Sequence, residues 1–192
     1  MNTIKCIQVT NSRSHHFHLA RQLEKRKLLK QIYTGYPHFK LQDEKGIDKK
    51  KIISFPWLHT PYMALGRLKL HQIDWLDREW HWRAYDSLDY YVASQLKQPA
   101  IFIALTCAGL YGGRKARKLG GIHICDSATS HLGFANEILR EEHKRWNIRW
   151  KEIDSRLLSK AEIEYEEADF ITVPSQFCVN SSVAYRPNRY SA

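Results

Sequence analysis

The stretch IDSRLLSKAEIEYEEADFITVPSQFCVNSS, residues 153–182, decides the fold. Its first part has apolar residues at every third or fourth position, which predicts a helix over Asp154–Ala168 with one buried face. The apolar run Phe170–Val173 then predicts a short buried strand that Pro174 ends. Ser175 is a good N-cap for a further helix. The stretch therefore predicts a helix, a strand and a helix in succession.

The same alternation extends toward the amino terminus, where short apolar runs alternate with longer amphipathic ones. The predicted strands are Ile4–Thr10, Leu29–Thr34, Lys51–Phe55, Ala100–Leu105 and Ile122–Cys125. The predicted helices are Phe17–Leu29, Ile73–Leu96 and Leu132–Trp146, and the charged segment Lys40–Lys51 predicts an exposed loop. This alternation predicts an α/β fold: a doubly wound, Rossmann-like parallel sheet with helices on both faces.

Composition is that of a globular domain, since 43% of the 192 residues are hydrophobic and 26% are charged. The most apolar stretch, Ile101–Leu110, is about half as long as a membrane span. No secretory signal is recognisable at Met1–Val9. The four cysteines form no CxxC pair, which predicts free, buried thiols in a reducing cytoplasm.

The formal charge of +10 is unevenly distributed along the chain. Residues 1–60 hold 12 Lys and Arg against four Asp and Glu. The positive electrostatic potential of this region favours an anionic partner. Examples are a phosphorylated ligand and the headgroups of an anionic membrane that the protein contacts peripherally. The alternative is a solvated basic face that only aids solubility.

In a doubly wound sheet, ligands bind beyond the carboxyl ends of the strands. The loop Asn11–His18 follows the first strand, and there Ser14, His15 and His16 predict a site for substrate at a helix N-terminus. Dinucleotide and P-loop motifs are absent from the sequence. His15, His16 and His18 are too bunched to predict a metal site, so capping or packing is the alternative and no metal is expected.

The loop after Cys125 begins DSATSH, residues 126–131, and is the most informative of these loops. Its hydroxyl residues Ser127, Thr129 and Ser130 predict a cradle for an anion or for sugar hydroxyls. Asp126 and His131 add groups that can transfer protons, which makes them candidate catalytic residues. Alternatively, the hydroxyls cap the next helix and Asp126 accepts backbone hydrogen bonds. Ser175 also predicts a ligand contact, with a plain strand-to-helix junction as its alternative.

Together these segments resemble the N-terminal domain of glycosyltransferase family 4, a group of retaining enzymes with the two-domain GT-B fold. The E-x-x-x-A-D helix end matches Glu164–Asp169, and the V-P-S-x-[FY] turn matches Val173–Phe177. A subgroup is similar also at D-x-x-[ST]-S-H, matched by Asp126–His131, and at I-L-R-E-E, matched by Ile138–Glu142. His16 and Phe17 fit the His-Phe start of the first helix in that family.

The resemblance implies transfer of a sugar, with retained configuration, from a nucleotide sugar to a glycan or lipid-linked acceptor. Residues 1–182 would form the acceptor-side domain, and 183–192 a divergent tail. The donor-binding domain, with its E-x(7)-E motif, would begin after about residue 190, and the motif does not occur in the 192 residues. No cofactor or metal is implied, and the chain alone is expected to be inactive.

A second hypothesis is a non-catalytic, basic module that binds anionic ligands or nucleic acid. Residues 13–30 and Arg114–Lys118 would form its surface. No RNA-binding motif is recognisable, so nucleic acid is the less favoured partner. Salt dependence of binding would distinguish the two hypotheses, because phosphate contacts weaken steeply as salt rises.

Overall fold

The computed structural model describes residues 4–65 and 72–185, which form a six-stranded parallel sheet in the order β3-β2-β1-β4-β5-β6. The strands are β1 (Cys6–Thr10), β2 (Leu29–Thr34), β3 (Ile52–Ser54), β4 (Ile101–Leu105), β5 (Ile122–Asp126) and β6 (Phe170–Thr172). The helices are α1 (His15–Lys25), α2 (His59–Leu65), α3 (Asp74–Gln95), α4 (Leu110–Lys118), α5 (Leu132–Arg145), α6 (Ser155–Glu167) and α7 (Gln176–Tyr185). The predicted doubly wound fold class is confirmed.

Separate apolar cores cover the opposite faces of the sheet. Ile32 packs with Phe17 and Ala20 of α1, whereas its neighbour Tyr33 packs with Leu88 and Val92 of α3. Successive side chains of a strand point to opposite faces, so α1 and α3 lie on different sides of β2. This arrangement places the first turn of α1 above the carboxyl ends of the strands.

Helix α4 comes closer to the sheet than a side chain at two of its positions would allow. A Cβ atom on Gly112 would lie 2.4 Å from the Phe102 ring, and one on Gly113 would lie 2.2 Å from the ring of His123. Glycine lowers helix propensity, but here it lets α4 lie close against β4 and β5. The basic segment Arg114–Lys118 lies on this helix, which begins at Leu110.

The prediction of an exposed loop over Lys40–Lys51 is wrong in part. The segment contains short 3-10 helices, and Leu41, Glu44 and Ile47 are buried. Leu41 and Ile47 join the apolar core beneath α1. Glu44 is buried because Arg13 and Arg21 of the α1 region bind its carboxylate.

The prediction that Phe170–Val173 is a buried strand is confirmed for the strand but wrong for its burial. The strand exists as β6, but Phe170 is 60% exposed and Thr172 is exposed as well. In the described part of the chain β6 pairs only with β5, so one edge is left open. Helix α7 runs through residues 183–185, and the remainder of the predicted tail, 186–192, lies outside the described residues.

The four cysteines are buried and free, as predicted. Across residues 4–65 and 72–185, every helix is too short or too polar to cross a lipid bilayer.

Candidate functional site

The strand order places a crevice between the carboxyl ends of β1 and β4, where the winding of the sheet reverses direction. Ligands of doubly wound proteins bind at such a point. The loop that follows β1 leads into α1, and the loop that follows β5 leads into α5. Both loops leave the same edge of the sheet, which we call the carboxyl edge.

Two histidines in the first turn of α1 contact the aspartate that ends β5. His15 Nε2 lies 2.5 Å from Asp126 Oδ2, and His16 Nε2 lies 3.0 Å from the same oxygen. The other carboxylate oxygen, Oδ1, accepts a hydrogen bond of 2.6 Å from Thr172 Oγ1. The side chain of His15 is 51% exposed, while that of His16 is fully buried. We call His15, His16 and Asp126 the His–Asp cluster.

Asp126 is ionised throughout the physiological pH range. Burial alone would raise its pKa, but hydrogen bonds from His16, Thr172 and His15 outweigh burial and hold the pKa well below the usual range. An ionised carboxylate can only accept hydrogen bonds. Asp126 therefore cannot act as a general acid, but it can orient an imidazole and stabilise its protonated form.

The contact with Asp126 also fixes the tautomer of His15. Because the carboxylate only accepts, His15 Nε2 carries the hydrogen and donates it, which leaves Nδ1 as the proton-accepting nitrogen. A half-exposed imidazole oriented by a partly buried carboxylate is the arrangement of a general base. The His–Asp cluster can thus take a proton from a ligand hydroxyl at the carboxyl edge.

Ser14 and Ser175 each begin a helix. Ser14 Oγ accepts a hydrogen bond of 3.3 Å from the backbone N–H of His16 and lies 3.0 Å from Thr10 Oγ1. Ser175 Oγ accepts from the backbone N–H of Cys178 at 3.4 Å. Capping, the alternative reading of both residues, accounts for these contacts, and a direct role in binding substrate stays a prediction for each.

Beyond Asp126, the loop of residues 127–131 borders a pocket of about 280 Å³. Ser127 and Thr129 line it, as do residues from α3, from the end of β4 and from α6. Ser130 and His131 are not among its lining residues. The structure therefore brings together Asp126, Ser127 and Thr129 with His15 and His16, and leaves Ser130 and His131 to one side.

His131 is buried rather than directed at a ligand. Its side chain is 1% exposed and its ring lies between those of Tyr165 and Tyr185, with centroid distances of 5.0 and 4.5 Å. Its Nε2 lies 3.4 Å from Glu162 Oε1, and its backbone N–H donates to Ser181 Oγ. These contacts link the start of α5 to α6 and α7.

The donor atoms of the His–Asp cluster lie within 4.8 Å of one another, a spacing that suits a metal ion. This arrangement was not predicted from the sequence, because the carboxylate comes from a strand end 110 residues beyond His16. His18, the third predicted histidine, instead contacts Arg21. Within the cluster His15 hydrogen-bonds to Asp126 and His16 lies at ion-pair distance from the same oxygen, and no step below runs through a metal.

The E-x-x-x-A-D segment has a structural role. Glu164 is fully buried, and its Oε2 accepts a hydrogen bond of 2.6 Å from the backbone N–H of Cys107. Asp169 Oδ2 accepts one of 2.8 Å from the backbone N–H of His123. The two carboxylates join the end of α6 to the loop after β4 and to the middle of β5.

Sequence reasoning missed Thr172, Thr106, Tyr85 and Tyr165. Thr172 holds Asp126 from β6, and the other three line the pocket. The tyrosines lie on helices whose aromatic residues indicated core packing. The only signal for the threonines is their position: Thr106 directly follows one predicted strand, and Thr172 lies one residue before the end of another, so both side chains are placed near the carboxyl edge.

Comparisons with known proteins bear on the fold. No protein-family model matches the chain, and no curated protein sequence matches it. Among solved structures, TcCGT1 in complex with UDP matches with a TM-score of 0.50 and 11% identity over 96% of this chain. A protein assigned as a UDP-N-acetylglucosamine 2-epimerase, from Listeria monocytogenes, matches with a TM-score of 0.48 and 10% identity, also over 96% of this chain.

The chain spans somewhat less than half of each of those proteins, 47% of TcCGT1 and 43% of the Listeria protein. At such low identity the similarity to TcCGT1 shows the fold alone. The chain has the Rossmann-like fold that GT-B proteins contain.

Proposed function

We propose that this chain is the acceptor-binding domain of a glycosyltransferase, which transfers a sugar from a nucleotide sugar to a glycan or lipid-linked acceptor. The observation that carries the proposal is the His–Asp cluster at the switch point of a Rossmann-like sheet, beside a pocket. The fold is shared with TcCGT1, whose structure holds UDP, and this supports a nucleotide-bearing donor. The residue pattern also resembles family 4.

In this proposal His15 accepts the proton of the attacking acceptor hydroxyl. Asp126 orients the imidazole and stabilises its charge once it is protonated. His16 and Thr172 hold the carboxylate in place, because each bonds to it directly. Ser127 and Thr129, which line the pocket, position the acceptor, and His131 supports their loop from the protein interior.

The nucleotide diphosphate is held chiefly by a second domain, which also stabilises the charge that develops on the leaving group. Ser14 and Ser175, at the N-termini of α1 and α7, lie on the side of the domain that faces such a partner. No cofactor or metal takes part. Treatment of the two-domain enzyme with EDTA should leave its rate within about twofold, whereas a loss restored by one divalent ion would assign a metal to the His–Asp cluster.

The anomeric configuration of the product depends on which group accepts the proton of the acceptor hydroxyl. A base on the acceptor side serves direct displacement, which inverts the anomeric configuration, whereas the resemblance to family 4 implies retention. We take the observed contact between His15 and Asp126 as the stronger guide and expect inversion. Proton NMR of the first product formed reports its anomeric configuration. A product with retained configuration would mean that the His–Asp cluster binds the acceptor but does not act as the base.

The proposed chemistry can be tested with His15→Ala and Asp126→Asn in the protein that joins this chain to a donor-binding domain. Each change should lower the rate by about 10²-fold or more, the usual scale for general base catalysis. His18→Ala is the matched control, because it removes an exposed histidine of the same helix whose ring contacts Arg21 rather than Asp126. The 192-residue chain alone should show no transfer. Turnover by the chain alone, or equal losses in the His15 and His18 variants, would contradict the proposal.

The second hypothesis, a basic binding module, has weaker support. Arg114 and Arg117 form ion pairs with Glu167 and Asp169, and Arg13 and Arg21 bind Glu44. Much of the charge assigned to the module is thus neutralised within the domain. Binding of anionic ligands or nucleic acid by these residues stays a prediction.

A further inference from the structure

The pocket beside the His–Asp cluster has an apolar interior. Cys107, Leu157 and Tyr165 form its floor and belong to a buried cluster beneath β5. Leu132 and Ile153 also line the pocket and are only partly buried. Partly exposed aliphatic side chains that face a common space gain free energy when an apolar group fills it.

The few polar groups of the pocket already bond to one another. Ser127 Oγ donates to the carbonyl of Thr129 at 3.1 Å, and Thr106 Oγ1 donates to the carbonyl of Asp126 at 3.3 Å. The Tyr165 hydroxyl lies within hydrogen-bonding reach of Ser127 and Thr106. A ligand rich in hydroxyls would need hydrogen-bonding partners in the pocket, and these are already engaged. Such a ligand would therefore have to break the existing hydrogen bonds.

The pocket is also uncharged. Burial raises the pKa of Tyr165 and of Tyr85, so both phenols stay protonated at neutral pH. Burial likewise lowers the pKa of His81, which lines the mouth as a neutral imidazole. Sulfate, phosphate or carboxylate groups therefore find no cation among the lining residues.

We propose that this pocket binds an apolar portion of the acceptor, an aromatic ring or a short alkyl group, and thereby sets acceptor specificity. Its volume of about 280 Å³ lies at the small end of ligand sites, which suits one ring rather than a large ligand. Ser127 directly follows Asp126, so the bound group lies next to the His–Asp cluster. The proposal rests on the proposed function for the identity of the ligand as an acceptor, but not for the binding itself.

Binding to the 192-residue chain without any donor tests the proposal. Phenyl β-glucoside and methyl β-glucoside carry the same sugar and differ only in the apolar group. Calorimetry or ligand-detected NMR should show the phenyl compound binding at least about 10-fold more tightly, as burial of one ring implies. Ala128→Phe fills the pocket and should remove this preference. Ser130→Phe adds the same ring outside the lining residues and should keep it.

Equal binding of the two glucosides to the unmodified chain would overturn the proposal, as would equal loss of preference in the two phenylalanine variants. If Ala128→Phe does not fold, Ile153→Ala serves as a second test, because removing this lining side chain enlarges the pocket. It should shift the preference from phenyl toward naphthyl glucoside, and an unchanged preference would overturn the proposal too. Failure of sugar transfer in the two-domain enzyme, with the phenyl preference intact, would contradict the proposed function and leave this site standing.

Discussion

His131 can be assigned to catalysis or to structure by measuring rate and stability together. The ring is buried between two tyrosines, and its Nε2 lies near Glu162. We therefore expect His131→Ala to destabilise the chain by about 2 kcal/mol or more, because it leaves a cavity and unpaired polar groups. The rate per folded molecule should stay within a few-fold. Urea unfolding of the chain and kinetics of the two-domain enzyme provide the two measurements.

Ser130→Ala is the matched control for His131→Ala, since it alters the preceding residue without opening a buried cavity. A fall in rate of about 10²-fold at unchanged stability would instead identify His131 as a proton-transfer group. That outcome would move the chemistry away from His15.

Sequence reasoning located both loops of the site but not their contact. Asp126, Ser127 and Thr129 were found because polar residues at the end of a predicted strand lie at the carboxyl edge. His15 and Asp126 are 111 positions apart in sequence. Their contact depends on the strand order, in which β4 alone lies between β1 and β5. Strand order follows from packing of the whole sheet, which local periodicity does not specify.

Glu164 joins elements that are distant in sequence. Its carboxylate, on α6, accepts the backbone N–H of Cys107, a residue held at a φ of 70° ahead of α4. Glu164→Ala should lower the free energy of unfolding by about 1–3 kcal/mol, since a buried donor loses its acceptor. Glu164→Gln keeps a carbonyl oxygen in the same place, so it should preserve most of the stability at neutral pH. Urea denaturation measures both variants.

The pH dependence gives a further check on Glu164. Burial raises the pKa of this carboxyl well above its usual value, so the unfolded chain loses its proton at lower pH than the folded chain does. The contribution of Glu164 to stability is therefore full below the unfolded pKa of about 4.3 and falls as pH rises. The stability of Glu164→Gln relative to wild type should therefore rise from pH 4 to pH 7, and a fall over this range would contradict the burial account.

At the level of helices and strands, periodicity predicted most of the elements and misjudged their surroundings. β6 was found from its apolar run, but its exposure depends on what lies beyond the sheet edge. The segment Lys40–Lys51 was misjudged because Glu44 is buried through contacts with Arg13 and Arg21, which come from another part of the chain. The start of α4 was not predicted because glycine has low helix propensity. Gly112 and Gly113 occur there because they allow close packing against the sheet.

The parallel sheet also determines where the positive charge collects. Every strand begins at the edge opposite the His–Asp cluster, which we call the amino edge. Lysines flank the strand starts there, namely Lys5 before β1, Lys27 and Lys30 at β2, Lys49 and Lys50 before β3, and Lys97 before β4. Lys30 Nζ lies 3.2 Å from Gln98 Oε1, which confirms that the starts of β2 and β4 lie close together. Among the described residues, none of these lysines has an acidic partner within ion-pair distance.

Peripheral membrane contact stays a prediction, and this concentration of charge gives it a candidate surface, because the basic segment Arg114–Lys118 is partly neutralised by Glu167 and Asp169. We expect the chain to bind vesicles that contain phosphatidylserine and not neutral ones. The combined change Lys27→Gln, Lys49→Gln and Lys50→Gln should weaken binding by roughly 100-fold, at about 1 kcal/mol per lysine. Arg140→Gln, Lys144→Gln and Arg145→Gln remove the same net charge from α5 and should have much less effect. Vesicle flotation at low and at physiological salt measures both triple variants, and binding should weaken as salt rises because the lysines are exposed. Equal loss in the two variants would show that net charge alone drives binding, and equal binding to neutral vesicles would remove the electrostatic account altogether.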